Sequence, residues 1–376
     1  MFKDTFDKYN WDEVGELIYS KTAEDVAIAL QKKSLSMDDF AALLSPAAAP
    51  YLENMAAKSQ ALTQKRFGNT MQMYIPMYLS NECQNICTYC GFSLHNKILR
   101  TTLSDEEILK EVEVIKSYGY DHILLVSGEA TRTVGTTYFK NAIQLIRPYF
   151  SNISMEVQPL EQEEYEELIG DGLYSVLVYQ ETYKKENYKE YHPKGKKSNF
   201  NYRIDTPDRL GKARVHKIGL GVLIGLEDWR VDSWFNALHL QYMRKTYWQT
   251  KYSVSFPRLR PAAGYPDPNH IMTDKELVQL ICAYRLFDEN LELSLSTRET
   301  EHFRNHAIML GITSISAGSK TDPGGYGGNL HALEQFEISD DRSPAQIAEM
   351  IRNNGYEPVW KDWFQISQQS TVDSQQ

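Results

Sequence analysis

Three cysteines close together are the strongest chemical feature of the sequence. Cys83, Cys87 and Cys90 lie in the run NECQNICTYCGF with the spacing CxxxCxxC. Three thiolates on one short loop can hold three irons of a cubic [4Fe–4S] cluster, which leaves the fourth iron without a protein ligand. An iron with an open position can bind and activate a small molecule, whereas a fully ligated cluster mainly carries electrons. The spacing therefore predicts a catalytic cluster.

Other sites for these cysteines are possible but fit less well. His95 lies five residues after Cys90 and could complete a Cys₃His zinc site, yet structural zinc ligands usually form two separated pairs and no second pair follows. A ferredoxin-type cluster needs four cysteines. The remaining cysteine, Cys282, lies in the helical pattern DKELVQLICAYRLFDE, which favours a buried apolar role. Four cysteines in 376 residues also argue against a disulfide framework.

Composition excludes several classes of partner. The chain is 42% hydrophobic and 24% charged, with a formal net charge of −10. This balance argues against nucleic acid or an anionic membrane as the main partner. No apolar run approaches the roughly 20 residues that span a bilayer, and the N-terminal run MFKDTFDKYNWDEVGEL has no signal-peptide pattern. We therefore expect a cytoplasmic protein, in a reducing compartment that suits free thiols.

The elements that must position the cysteine loop fall into two parts. The first seventy residues have helical patterns, with capping-box-like starts at Thr22 with Asp25 and Ser36 with Asp39, and an end near Gly68. Strand and helix patterns then alternate, with strands predicted at about 71–79, 122–127, 153–157, 174–179, 218–224, 252–256, 291–296 and 312–316. Eight such repeats predict an α/β fold, a (β/α)₈ TIM-type barrel, with a doubly wound open sheet as the alternative.

Polar motifs follow most of the predicted strands. The cysteine loop follows the first, and further motifs follow the second, fourth, fifth, seventh and eighth at 127–129, 180–182, 225–227, 297–299 and 316–319. In such barrels the chemistry gathers at these strand ends. We predict three parts: an N-terminal helical extension over 1–70, the barrel over 71–320, and a C-terminal segment over 321–376 that packs on the barrel and ends in a frayed polar tail.

The cysteine motif resembles a known superfamily. With Tyr89 before the third cysteine, CxxxCx-aromatic-C is similar to the signature of radical S-adenosylmethionine (SAM) enzymes, in which SAM chelates the open iron. The resemblance implies that Gly128-Glu129 lies against the methionine part of SAM, although Gly-Glu also suits an ordinary turn. It likewise implies that the strand containing Gly221 and Gly225 runs along adenine, although small residues also relieve crowding in a barrel.

Two further groups are candidates for SAM. Gln180 and Glu181 close an apolar strand, and a carboxylate there suits ribose hydroxyls. The alternative is a helix N-cap at Thr182 with a nearby acid. Arg203 or Arg209 could pair with the SAM carboxylate through a charge-assisted bond; in TPDRLGKAR, Arg209 also fits a solvated helix position.

Arg298 is the main candidate for substrate binding. It follows a strand whose alternate residues fill the barrel, and a guanidinium in a mostly apolar cavity needs an anion, which a carboxylate supplies in bidentate geometry. Ser316 lies one strand over and could donate to the same carboxylate. The alternative for Arg298 is an ion pair with Glu299 or Glu301. Tyr78 ends the first strand and could close the cavity, or simply pack there.

The resemblance extends to one family. The stretches MYLSNECQNICTYCGFS, MEVQPL, VYQETY, YHPKGKKSNFNYRIDTPDRLGKA, KIGLGVLIGL, YSVSFPRLRP, LSLSTRE, PGGY and PVWKDW are similar to the tyrosine lyases, or 2-iminoacetate synthases (ThiH). This implies that a SAM-derived radical removes a hydrogen from the amino group of L-tyrosine. The Cα–Cβ bond then breaks to give 2-iminoacetate (dehydroglycine) and p-cresol, and 2-iminoacetate passes to thiazole synthase (ThiG) for thiamine. A flavodoxin or ferredoxin-type reductant is implied too.

Two related families are alternatives. The hydrogenase maturase HydG also cleaves tyrosine, but it carries a C-terminal extension with further cysteines for a second cluster. Beyond Cys90 this chain has only Cys282, so that chemistry is not supported. Tryptophan lyases of the NosL type share the scaffold and could share Arg298 and Ser316. Composition and spacing do not separate an indole substrate from a phenol.

Overall fold

Eight parallel strands close into a barrel at the centre of the molecule. The computed structural model describes residues 1–260, 268, 270–328 and 334–360. The strands pair in chain order from β2 to β8, β8 pairs with β1, and β1 also pairs with β2, which closes the ring. The bounds are β1 (Thr70–Ser80), β2 (His122–Ser127), β3 (Asn152–Glu156), β4 (Leu173–Leu177), β5 (Lys217–Gly221), β6 (Lys251–Ser255), β7 (Glu292–Leu295) and β8 (Ser314–Ser316). The predicted (β/α)₈ barrel is confirmed, and the open sheet is wrong.

Helices cover the barrel on its outer side. They are α1 (Phe2–Phe6), α2 (Trp11–Tyr19), α3 (Ala23–Gln31), α4 (Met37–Leu44), α5 (Leu52–Phe67), α6 (Asp105–Ser117), α7 (Thr136–Ile146), α8 (Gln162–Asp171), α9 (Tyr188–Tyr191), α10 (Phe200–Ile204), α11 (Thr206–Lys212), α12 (Trp229–Thr246), α13 (Asp274–Phe287), α14 (Glu301–Ala307) and α15 (Pro344–Asn353). Short 3₁₀ helices span Pro46–Tyr51 and Lys196–Ser198. Within the described ranges, no helix has the length and apolarity to cross a bilayer.

Capping explains where several helices begin and end. The predicted capping boxes are present at Thr22 with Asp25 and at Ser36 with Asp39, where side chain and backbone bond reciprocally. Gly68 ends α5 with a φ of 66°, which glycine adopts without a steric penalty. The chain can therefore turn directly from the helical extension into β1.

The N-terminal helices pack on α12 and α13 of the barrel. Phe2 stacks on His239 with ring centroids 3.7 Å apart, and Trp11 stacks on Phe235 at 5.8 Å. Cys282 is fully buried in α13 beneath this layer, in the apolar position predicted for it. The extension therefore stabilises the outer wall of the barrel at α12 and α13.

The C-terminal segment adds a strand that the sequence pattern did not indicate. β9 (Glu357–Val359) pairs in parallel with Thr70–Gln72 at the start of β1. Arg304 in α14 is fully buried and joins Asp340 by an ion pair and the Ser316 carbonyl by a hydrogen bond. These contacts hold the segment to the barrel. The proposed tail lies within residues 361–376, outside the described ranges, and the division into three domains stays a prediction.

Candidate active site

The three cysteines lie on one loop beyond the C-terminal end of β1, where the barrel opens into a cavity. Cys83 and Cys87 are buried and Cys90 is partly exposed; none of the three is in a disulfide, and all three line this cavity. Ser93 fixes the loop, because its Oγ accepts a hydrogen bond of 3.1 Å from the Cys87 backbone N–H. This bond joins the middle of the loop to the segment that follows the third cysteine.

The donor set fits a cluster with three protein ligands. Burial raises the pKa of the Cys83 thiol to about 11 and also raises the pKa values of Cys87 and Cys90, so iron binding must drive removal of the thiol protons. Cys282 lies far away in α13. Within the described ranges, no three His, Cys, Asp or Glu side chains are arranged to hold a single metal ion, and His95 is exposed. The geometry does not favour a Cys₃His zinc site.

Gly128 lies where the end of β2 meets the cysteine loop. A Cβ at this position would stand 2.2 Å from the Glu82 carbonyl oxygen and 3.3 Å from the Cys83 Cβ. The Gly128 N–H also donates to the Ser80 carbonyl at 3.0 Å. Glycine is required here because backbone packs against backbone, a role beside the cysteines that the sequence did not indicate.

Arg203 joins two acidic groups from different strand ends. Its guanidinium donates to Glu129 at 2.8 Å and to Glu181 at 3.4 Å, while its Nε donates to the Tyr179 carbonyl at 2.7 Å. Lys197 donates to Glu181 at 2.6 Å. Because buried charges are tolerated only when they are paired, these four side chains form one unit that holds the ends of β2 and β4 together.

Glu181 is both strained and ionised. Its φ of 71° lies in the left-handed region, which is uncommon for a residue other than glycine. Burial alone would raise its pKa, but Lys197 and Arg203 together outweigh burial and hold the pKa of Glu181 below its ordinary value. The strand end therefore presents a carboxylate to the cavity, and strain of this kind is typical of functional sites.

Tyr89 is held in one orientation by a buried histidine. Nδ1 of His192 lies 2.8 Å from the Tyr188 carbonyl oxygen, which can only accept, so Nδ1 carries the proton. Nε2 of His192 then accepts the hydrogen bond of 2.7 Å from the Tyr89 hydroxyl. Burial lowers the pKa of His192 well below its ordinary value, so the ring is neutral. The Tyr89 ring therefore forms a fixed wall of the cavity beside the cysteines.

Arg298 reaches the cavity without an acidic partner. Its guanidinium lies over the Phe336 ring, 3.3 Å from the centroid. Glu299, one alternative partner, is instead paired with Arg258 and Arg260. In the part of the chain that the structure describes, no carboxylate forms an ion pair with Arg298. The guanidinium is therefore available to an anionic ligand.

Ser316 and Tyr78 line the same cavity. The Ser316 Oγ accepts from the Thr297 backbone N–H at 3.1 Å. The Tyr78 hydroxyl donates to the Gln335 Oε1 at 2.7 Å, and the Gln335 Nε2 lies 3.7 Å from the Cys90 Sγ. Gln335 thus connects a candidate substrate residue to the cysteine loop.

Among the cavity residues that sequence reasoning missed are Glu156, Lys197 and Gln335. Glu156 is the last residue of β3 in the apolar run ISMEV, and a charge at a strand end was the available signal. Lys197 lies in the lysine-rich run KGKK, which is typical of a solvated loop. Gln335 carries no recognisable pattern.

Arg209 does not reach the cavity. Its Nε donates to the Leu160 carbonyl at 2.9 Å, and its guanidinium stacks on the Tyr202 ring at 4.1 Å. Arg203, six residues earlier, does line the cavity. Of the two arginines considered for the SAM carboxylate, only Arg203 is placed beside the cysteines.

Three other candidates also lie outside the cavity lining. Gln180 is buried, and its Nε2 has no hydrogen-bond partner among the described residues. A Cβ on Gly221 would stand 2.9 Å from the Tyr179 ring, and one on Gly225, whose φ is 120°, would stand 3.0 Å from the Leu259 Cβ. Close packing accounts for both glycines, and a role for their strand along adenine stays a prediction.

Comparisons with known proteins agree with this arrangement. Residues 77–238 match the family described as "Radical SAM superfamily", and residues 255–357 match "Biotin and Thiamin Synthesis associated domain". A solved structure of HydG has a TM-score of 0.84 at 29% identity and covers 95% of this chain and 78% of that one. The structure of HydG from Carboxydothermus hydrogenoformans has a TM-score of 0.84 at 28% identity and covers 96% of this chain and 83% of that one.

The curated relatives are closer in sequence. The 2-iminoacetate synthases of Salmonella typhimurium and Escherichia coli are each 52% identical to this chain over 363 residues, which is 96% of both proteins in each comparison. Identity at this level over nearly the whole length shows the family. The chain belongs to the 2-iminoacetate synthase family of radical SAM enzymes, which use a [4Fe–4S] cluster and SAM.

Proposed function

We propose that this chain cleaves the Cα–Cβ bond of L-tyrosine to 2-iminoacetate and p-cresol, for the thiazole of thiamine. One observation carries the proposal: three cysteines outside any disulfide share the mouth of a barrel cavity in a chain that is 52% identical to 2-iminoacetate synthases. The relatives' name supports the product. The open iron implied by three thiols supports radical chemistry.

Cys83, Cys87 and Cys90 would hold the cluster. When bound, the cluster and SAM supply a carbon-centred radical that removes a hydrogen atom from the substrate. Glu129 and Arg203 lie beside the cysteines and suit the amino and carboxylate groups of SAM, while the ionised Glu181 suits its ribose hydroxyls. Tyr89 would bound the SAM site on the side of His192.

The substrate side of the cavity mainly positions the substrate and keeps water out. We assign Arg298 to the tyrosine carboxylate, because a charged guanidinium without an acidic partner favours an anion. Ser316 and Tyr78 would complete the binding surface. Fixed placement of reacting atoms is worth several kcal/mol of barrier, on the order of 7–11 in model systems. The chain needs no acid or base for the hydrogen-abstraction step itself.

Partners and location follow from the same proposal. We propose that 2-iminoacetate passes to thiazole synthase (ThiG) and that a flavodoxin or ferredoxin-type protein supplies electrons. Cysteines outside disulfides and an oxygen-sensitive cluster suit the cytoplasm. A HydG-like second cluster is not part of the proposal, because the chain has only four cysteines and three lie on the loop.

The decisive experiment is product analysis under anaerobic conditions. The protein, reconstituted with iron and sulfide and supplied with SAM, a reductant and ring-labelled L-tyrosine, should release labelled p-cresol, measured by mass spectrometry. Cys87→Ala should lose the iron and all product, while the matched variant Cys282→Ala should retain both. Absence of p-cresol from a fully loaded enzyme would refute the proposal. Turnover of L-tryptophan in its place would favour the indole alternative.

A second experiment tests the carboxylate site. Arg298→Ala should strongly weaken tyrosine turnover while SAM cleavage without substrate persists, because only the substrate anchor is lost. The control Arg352→Ala removes an exposed arginine from α15 and should leave both reactions unchanged. Normal tyrosine turnover by Arg298→Ala would remove Arg298 from the site.

A further inference from the structure

Most charged side chains of the cavity are already paired. Four of them form the unit described above: Glu129, Arg203, Glu181 and Lys197. Arg260 also lines the cavity, and it pairs with Glu299, which does not. Of the charged side chains that line the cavity in the described ranges, two have no hydrogen-bond or ion-pair partner for their charged groups: Arg298 and Glu156. One is a cation and the other an anion.

Glu156 projects into the barrel at the level of other cavity residues. It ends β3, where it pairs in register with Val126 of β2, and Val126 pairs with Tyr78 of β1. Paired residues of parallel strands point to the same face, and all three line the cavity. The Glu156 carboxylate thus lies at the same level of the barrel as a candidate substrate residue.

The remaining polar groups deeper in the barrel are neutral. The Ser294 hydroxyl bonds to the Tyr74 hydroxyl at 3.0 Å, and the Tyr179 hydroxyl bonds to Ser255 at 3.0 Å. All four residues line the cavity. Hydroxyl pairs of this kind suit a neutral phenol. The partly buried Glu156 carboxylate, which has no such partner, instead favours a cation, because an unpaired charge withdrawn from water is unfavourable.

One free cation and one free anion match the two charges of a zwitterionic amino acid. We propose that Glu156 binds the α-ammonium group of the amino-acid substrate, as the counterpart of Arg298 at the α-carboxylate. This inference rests on the proposed function for the identity of the substrate. It adds a subsite that fixes the nitrogen from which hydrogen is removed, since a substrate held at both charged groups cannot rotate about its carboxylate.

The electrostatic surroundings of Glu156 agree with this assignment. Burial and then the nearby Glu181 raise the pKa of Glu156 to about 7, against the opposing effects of Arg298, Lys197 and Arg203. The facing hydroxyls of Tyr74, Tyr78 and Tyr179 are neutral, because burial raises each of their pKa values above 10. The cavity without substrate therefore disfavours the carboxylate anion, and a bound ammonium would restore it.

Truncated ligands can locate the group that Glu156 contacts. Binding to the cluster-loaded, unreduced enzyme with SAM would be measured by calorimetry for L-tyrosine, L-phenylalanine and 3-(4-hydroxyphenyl)propanoate, in wild type and in Glu156→Gln. We expect the variant to bind tyrosine and phenylalanine about tenfold or more weakly, as for loss of a charge-assisted bond. It should bind the propanoate, which has no ammonium, with nearly unchanged affinity.

Several outcomes would overturn the proposal. A loss confined to the two ligands with a phenol would place Glu156 at the hydroxyl, and an equal loss for all three, or weaker SAM binding, would give it a general structural role. If Glu156→Gln fails to load iron, the test uses the wild-type protein alone. The ratio of its affinity for tyrosine to its affinity for the propanoate should shrink as the pH falls below 7. A ratio that stays constant with pH refutes the assignment. Selective loss of the amino ligands in a protein that makes no p-cresol would leave this subsite standing and the proposed reaction wrong.

Discussion

Replacing Gly128 with alanine should prevent cluster assembly rather than merely slow turnover. The new methyl carbon would lie 2.2 Å from the Glu82 carbonyl oxygen, whereas side-chain carbons in proteins do not approach closer than 3.0 Å. The backbone of Glu82 and that of Gly128 must therefore move apart by about 0.8 Å. Cys83 follows Glu82 directly, and metal–ligand distances tolerate only about 0.2 Å. The displaced thiol would no longer meet its iron.

The effect of Gly128→Ala can be measured as a loss of unfolding free energy and as a loss of bound iron and sulfide. Overpacking of this size typically costs about 1–3 kcal/mol, so the free energy of unfolding of the metal-free protein, from urea titration, should fall by that amount. Iron and sulfide per chain after reconstitution should fall well below the wild-type value. The matched control is Gly170→Ala: Gly170 lies in α8 with no atom within 4 Å of the added carbon. Alanine there should stabilise by up to about 1 kcal/mol and leave iron loading intact.

A Gly128→Ala protein with full iron content and unchanged unfolding free energy would refute the reasoning. It would mean that the loop relaxes at no cost. Loss of stability together with normal iron loading would separate the two effects and show that the displacement does not reach Cys83.

Three further changes have defined outcomes. Arg203→Met leaves the buried Glu181 and the partly buried Glu129 with too little positive charge, and should lower the unfolding free energy by about 3–5 kcal/mol in urea titration. Tyrosine affinity, measured by calorimetry, should fall about tenfold between pH 8 and pH 6, because Glu156 is ionised above its pKa of about 7 and loses charge below it; Glu156→Gln should give a flat profile. Gln335→Ala removes a donor to a cysteine sulfur and should lower the cluster's midpoint potential in a redox titration followed by electron paramagnetic resonance.

The barrel could be predicted from the sequence because its strands are short apolar runs separated by amphipathic helices. Each of the eight predicted strands overlaps an observed one, and the ends differ by at most three residues. β9 could not be predicted in this way. It has three residues, includes Pro358, and exists only because the start of β1 offers a free edge to a segment almost 290 residues away. A contact of that range leaves no periodic pattern in the chain.

The sequence placed residues together at one cavity where a motif fixes them, as for the three cysteines and the Gly128-Glu129 pair, although their roles toward a cluster and SAM stay predictions. The choice between Arg203 and Arg209 was not predictable, because both lie on short helical segments whose orientation only the fold decides. Lys197 looked like one of several exposed lysines but is drawn inward by Glu181. Glu156 could not be recognised because the absence of a partner is a property of the cavity and leaves no mark in the local sequence.

The contacts of Gln335 limit how the two parts of such an enzyme can change independently in evolution. Gln335 lies in the stretch that matches the second family, yet it bonds to Tyr78 and approaches the sulfur of Cys90, both in the stretch that matches the first. A Cβ on Gly91 would also collide with the backbone oxygen of Gln335, at 2.8 Å. The two halves are therefore fitted to each other at the metal loop itself. Chimaeras that exchange one half between homologues should load their cluster well only when Gln335 and the residues it contacts on the metal loop come from the same parent.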